Sequence, residues 1–207
     1  MKHACLLALP FACVAAVVGA QPSFDCSAAE SDAEKAVCAT PSLAELDVEL
    51  ARVYNLAVNG PHATPDRSQS LKETQRGWIK GRDACWKSSL GLETCVANEY
   101  AFRIDEIRAG NADAREGDGA SLGPFAYECS GLDAGLSATF VNTADPMVVL
   151  RWRDNALVLP IAISASGSRY ASDIWEGGPT EFWIKGRDAM FTPPGGAQLS
   201  CHEEEIG

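Results

Sequence analysis

Histidine is scarce in this chain. Only three of its 207 residues are His, and His3 lies at the N-terminus, which leaves His62 and His202. His62 sits in a proline-containing loop and His202 beside a cysteine, and neither is near a Ser or Cys nucleophile signature. A hydrolase built on a histidine base has little to stand on. There is no Cys-x-x-Cys pair, so the thiols do not read as a metal site. Positive charge is also short: 17 Lys and Arg against 28 Asp and Glu give a formal net charge of −11. Such a chain does not seek nucleic acid or an anionic membrane; it is suited to a basic partner. No cofactor, metal or catalytic residue is expected. The tail His202-Glu203-Glu204-Glu205 reads as a solvated end before it reads as a weak metal ligand set.

What the chain does have begins with an export signal. Lys2 and His3 precede an apolar run from Ala4 to Val18, broken by Pro10, and Val18-Gly19-Ala20 is a small-residue cleavage site. The run is short for a membrane span and no charged stop follows it, so a signal peptide at 1–20 and a mature start at Gln21 are expected. Pro10-Phe11-Ala12-Cys13 and Asp25 before Cys26 fit a lipoprotein anchor poorly. The reading is therefore a periplasmic or secreted protein with no membrane anchor.

Six cysteines remain beyond the signal, an even number that implies disulfides in an exported chain. Sequence alone leaves their connectivity open. The pairing expected here joins Cys129 to Cys201, closing the C-terminal part, and Cys85 to Cys95, clipping neighbouring helix ends. Cys26 and Cys38 then pair if residues 26–31 fold back along a short helix.

The chain has two halves with different periods. Residues 21–109 read as an all-α domain. A Ser31…Glu34 capping box opens a helix at 31–38. Thr40-Pro41 opens a second, with Leu43, Leu46, Leu50, Val53, Tyr54 and Ala57 at helical spacing. Asn59-Gly60-Pro61 stops it, Thr64-Pro65 starts the next, and a last helix runs from Leu92 to Arg108. Residues 110–123 hold four glycines and one sizeable apolar residue, Leu122. They read as a flexible linker that lets the halves move independently.

From residue 124 to 207 the period is two. Leu136, Ala138 and Phe140 alternate with Ser137, Thr139 and Val141. Met147–Trp152 and Ala156–Ile161 flank a turn at Asp154-Asn155, and further strands are expected at 168–172, 181–185, 188–192 and 197–202. About eight short strands suit an all-β antiparallel barrel or sandwich.

Two segments of this half stand out. One is the loop Ser164-Ala165-Ser166-Gly167-Ser168-Arg169-Tyr170; the other is Phe182-Trp183-Ile184-Lys185-Gly186. Ser166, Gly167 and Tyr170, followed by Trp183, Lys185 and Gly186, resemble the Ser-Gly-x-x-Tyr and Trp-x-Lys-Gly motifs of the bacterial c-type lysozyme inhibitors, the membrane-bound MliC and periplasmic PliC family. Tyr127-Glu128-Cys129 and Cys201 resemble that family's opening and closing strands, so the likeness covers about 125–203. It implies an eight-stranded antiparallel barrel and a c-type lysozyme as partner. It also implies that Ser166 and Lys185 insert into the enzyme's cleft. Tyr170 and Trp183 would brace the two loops, and Arg169 would add charge at the rim. The stretch Ala171–Glu181 is several residues longer than the family pattern, which would shift Lys185 relative to Ser166.

The helical half carries a second likeness. Phe24-Asp25-Cys26, Glu34-Lys35-Ala36-Val37-Cys38, Leu46-Asp47, Gln75-Arg76-Gly77-Trp78, Arg82-Asp83-Ala84-Cys85, Cys95 and Tyr100…Arg103-Ile104 resemble the LprI-type lysozyme inhibitor family. Arg82 and Asp83 are expected to bridge helices. The competing functions are an envelope structural protein and a barrel that holds a small apolar ligand. An internal cavity would distinguish the latter.

Overall fold

The computed structural model describes residues 20–205; the signal-peptide reading at 1–20 lies almost wholly outside them. Four helices come first: α1 (Asp32–Ala39), α2 (Pro41–Asn59), α3 (Pro65–Asp83) and α4 (Leu92–Gly110). Their starts follow the local chemistry. Ser31 and Glu34 form a reciprocal capping box on α1, and Pro41 and Pro65 occupy first-turn positions where a missing N–H is harmless. The region is not purely α-helical, because short 3-10 turns occupy Cys26–Ala28, Ala84–Lys87 and Ala112–Arg115. Disulfides join Cys26 to Cys38, Cys85 to Cys95, and Cys129 to Cys201, as expected.

Arg82 does the bridging work expected of it. It is buried at 4 % exposure, donates to Asp83 and to the Tyr100 hydroxyl, and Tyr100 donates onward to Asp47. Asp47 also accepts the Ser23 N–H at 2.6 Å, which fastens the N-terminal segment to α2. Burial, and after it the Asp47 charge, push the Tyr100 phenol well above its ordinary range.

Eight antiparallel strands then close a barrel in chain order: β1 (Ser121–Cys129), β2 (Leu136–Val141), β3 (Met147–Trp152), β4 (Asn155–Ala162), β5 (Ser168–Ser172), β6 (Thr180–Lys185), β7 (Asp188–Thr192) and β8 (Leu199–Glu203). β1 pairs with β8 to complete the closure, so no edge is left open. The β3–β4 turn falls on Arg153-Asp154, one residue before the expected place, since Trp152 pairs with Asn155 and Arg153 takes a φ of 47°. The interior is filled by Tyr127, Leu136, Leu150, Leu159, Phe182 and Phe191, all nearly inaccessible.

The halves are not independent. Val141, Met147, Val149 and Val158, on the opposite parity from the barrel core, pack with α-helical residues such as Val96, Ile104 and Ile107. Burying each contributes about 1.5–3 kcal/mol. Polar groups seal the same seam. Asp105 of α4 accepts from the Thr139 hydroxyl at 2.6 Å and from Arg151 Nε.

Nor is the 110–123 segment a free linker. It contains the 3-10 turn at Ala112–Arg115 and the start of β1, with Asp113, Ala114 and Ser121 buried. Its buried polar residues have partners: Asp113 accepts the His62 N–H at 3.0 Å, and Arg108 donates to the Gly123 and Ala114 carbonyls and to Ser121 Oγ. Glu49 of α2 accepts from the Ala120 and Ser121 N–H groups, the Ser121 hydroxyl and Arg52. A glycine-rich polar segment folds down when each buried polar group finds a partner.

Candidate functional site

Both motif segments lie at one end of the barrel. The Ser loop connects β4 to β5, and the Lys turn connects β6 to β7. β5 and β6 are paired, with Ser168 opposite Ile184 and Arg169 opposite Trp183, so the ladder itself brings the segments side by side.

The Ser loop is built before any partner arrives. Ser164 Oγ donates to the Ser166 carbonyl at 2.7 Å and accepts the Ser166 N–H at 3.3 Å, a hydroxyl-closed turn. Gly167 takes a φ of 67°, and a Cβ there would lie 2.1 Å from the Ile184 carbonyl oxygen. Only glycine lets the two backbones come this close. Ser166 itself is exposed.

Trp183 links the two segments. Its Nε1 donates to the Ser166 carbonyl at 2.8 Å, while Lys185 Nζ lies 4.2 Å from its ring centroid. One indole thus holds the serine loop by its edge and the lysine by its face. Lys185 is exposed and, among the described residues, forms no ion pair. The neighbouring cations are committed: Arg169 to Glu181 at 2.6 Å and Arg187 to Glu205. Arg169 also reaches the Ile163 carbonyl at 3.4 Å, so it braces the loop more than it charges the rim.

Tyr170 is not at the surface. It is 4 % exposed, sits in the barrel core beside Phe140 with ring centroids 5.8 Å apart, and burial raises its pKa. It cannot touch a partner and acts by packing. Ser164, Glu181 and the Ile184 carbonyl are the supports that motif reading missed. Only Ser164 carried a signal, a hydroxyl two residues before Ser166. In the tail, His202 faces Asp188 at 2.8 Å and Glu205 faces Arg187. Among the described residues no group of three His, Cys, Asp or Glu is placed to hold a metal. A surface depression of about 550 Å³ runs along β5 and β6 past Arg169 and Thr180, and neither Ser166 nor Lys185 lines it. Ser166 and Lys185 are both exposed, at the tips of the loop and the turn.

Comparison with known proteins agrees with this division. The family described as membrane-bound lysozyme-inhibitor of c-type lysozyme, MliC, matches residues 127–200, and lysozyme inhibitor LprI matches residues 26–109. Lipoprotein LprI from Mycobacterium tuberculosis and its counterpart from Mycobacterium bovis are each 29 % identical over 160 residues, covering 74 % of this chain and 75 % of theirs. No solved structure matches. The chain is thus similar to the LprI family over its helical part and to the MliC family over its barrel, in that order along the sequence.

Proposed function

We propose that this protein inhibits c-type lysozyme without catalysis of its own, by placing Ser166 and Lys185 in the enzyme's active-site cleft. The observation that carries this reading is the Trp183 indole, which presents both residues side by side on one rigid end of the barrel. A glycosidase of this type works with two carboxylates across the scissile bond. An ammonium between them, with three donors, and a hydroxyl within reach of one would occupy both. The net charge of −11 complements a basic enzyme at long range, while Lys185 offers its ammonium at the tip with no ion pair among the described residues. A barrel holding an apolar ligand is disfavoured, because the interior is filled by its own side chains.

The test is a cell-wall turbidity assay with a c-type lysozyme and the intact chain. Ser166→Ala removes one hydrogen bond to a charged group and should cost about 1.5–3 kcal/mol of binding, or about tenfold or more in the inhibition constant. Full inhibition by that variant would remove Ser166 from the interface.

We propose further that the protein acts outside the cytoplasm. Three disulfides suit an oxidising compartment, and among the described residues no helix is long and apolar enough to cross a membrane. The relatives bear the name lipoprotein. Here Cys26 is bonded to Cys38, so its sulfur is not free for acylation. Intact-mass analysis with thiol labelling is expected to give an unacylated chain beginning at Gln21 with no reactive thiol. A lipid adduct or two labelled cysteines would refute this.

A further inference from the structure

β5 and β6 form a hairpin with the Ser loop and Lys turn at one end. At the other end lies the connection 173–179, part of the stretch that exceeds the family pattern. Its neighbour β4 holds β5 over a short stretch: Ile161 pairs with Tyr170 and Ala162 with Arg169, in the middle and tip half of β5, and no pair reaches Ala171 or Ser172. By contrast β6 and β7 share five pairs. The far end of the hairpin therefore lacks sheet support on the β4 side.

Trp175 fills that gap. Its Nε1 donates at 2.9 Å to the carbonyl of Val158 in β4. Its ring meets Phe102 of α4 edge-on, with centroids 6.4 Å apart at 68°. It packs against both the helical and the barrel cores. The connection is also fitted on its outer side: Gly177, at φ 101°, lies so close to Pro194 that a Cβ would sit 2.9 Å from the Pro194 Cβ. Thr180, where β6 begins, is 1 % exposed. Between this moored end and the tip run five ladder pairs, from Ser172 with Thr180 to Ser168 with Ile184, a span of about 13 Å.

We propose that Trp175 is a positioning residue for the Ser166–Lys185 site, and that the helical domain, gripping Trp175 through Phe102, sets the geometry of a site it never touches. The proposal rests on the inhibitor reading given above. Two tips that enter one cleft must keep a fixed relation, and a hairpin that wavers must be ordered on binding, which weakens the complex. A small misplacement at a reacting or blocking centre has a large effect. The extra length after Tyr170 then moors the hairpin and does not loosen it.

The test uses the full chain against an immobilised c-type lysozyme by surface plasmon resonance, together with thermal melting and amide exchange. Trp175→Ala should speed dissociation by about tenfold and raise exchange across 168–172. Phe102→Ala should act in the same direction. Trp175→Phe, which keeps a ring and loses the indole bond, should fall between, and it carries the test if the alanine variant folds poorly. Val37→Ala, a fully buried helical position away from the hairpin, is the stability control: it should lower the melting temperature and leave dissociation alone. Unchanged dissociation in the Trp175 variants, or equal acceleration in Val37→Ala, overturns the proposal. Lys185→Ala measured alongside separates the two ideas. If it weakens binding while the Trp175 variants do not, the mooring fails and the site stands; if it too is without effect, the site reading falls as well.

Discussion

Lys185→Ala is expected to weaken binding to a c-type lysozyme by about 2–5 kcal/mol, well over tenfold, while leaving the melting temperature in place. The side chain is exposed at the end of β6, and its ammonium rests on the Trp183 ring. Leaving that ring for the cleft costs about 0.5–1 kcal/mol, a small part of the effect. Once between two carboxylates the charge is desolvated, and truncation leaves those acids buried without their partner. The loss belongs in the dissociation rate, because close pairs set residence time whereas the net acidic surface sets association and its salt dependence. Arg187→Ala, two residues on, breaks an exposed pair with Glu205 and a bond to the Glu203 carbonyl and should change binding by less than about 1 kcal/mol. Dissociation measured on the folded variants decides the matter. An unchanged rate for Lys185→Ala would mean that the turn stays outside the cleft.

The largest loss of stability is expected from Glu49→Gln or Glu49→Ala, about 3–5 kcal/mol in chemical or thermal denaturation of the whole chain. The Glu49 side chain is 4 % exposed. One oxygen accepts from Ser121 N–H, the Ser121 hydroxyl and Arg52; the other accepts from Ala120 N–H and Arg52. Because donors surround both oxygens, an amide nitrogen placed at either one meets donors, and Gln should be nearly as harmful as Ala. Arg108 adds to the cost. It is 3 % exposed, burial lowers its pKa, and the Glu49 charge counters that. Burial works against the charge of Glu49 as well, but the bonds from Arg52 and Ser121 outweigh it, and the carboxyl sits below its ordinary value. A depressed carboxyl contributes stability that is present above the unfolded-state value and is lost as pH falls through the folded-state one. The difference between native protein and Glu49→Gln should therefore be full at neutral pH and shrink in acid below the ordinary carboxylate range. A difference that stays constant down to strong acid would rule out the ionised form.

Much of the architecture was legible in the residues, because local chemistry set it. The capping box at Ser31, the prolines at 41 and 65, and the stop at Asn59-Gly60-Pro61 mark helix ends by mechanism. The period-two pattern marked the strands. The join between the halves was misread. Gly117, Gly119 and the polar residues around them have the composition of a free linker, and composition cannot reveal that Glu49, some seventy residues earlier in the chain, supplies the acceptors. The apolar run Met147–Leu150 did hold a hint. A strand covered on one face alternates, whereas one covered on both reads as an unbroken hydrophobic run, and Val149 indeed faces the helices while Val148 and Leu150 fill the barrel. At the candidate site, motif spacing singles out two loops that the β5–β6 ladder sets side by side, but not their supports. A backbone carbonyl such as that of Ile184 has no sequence signature.

The outward row Val141, Met147, Val149 and Val158 bears on how the molecule can be rebuilt. A barrel grafted onto these helices from elsewhere would need apolar side chains at all four places. It would also need a hydroxyl to meet Asp105 where Thr139 stands. A barrel shaped to face water there would set polar groups against a dry helix surface and would not seat. The two domains are therefore a matched pair and not interchangeable cassettes, and an engineer who wants a different target should recut the loops at 163–167 and 184–187 and leave the barrel on its own helices.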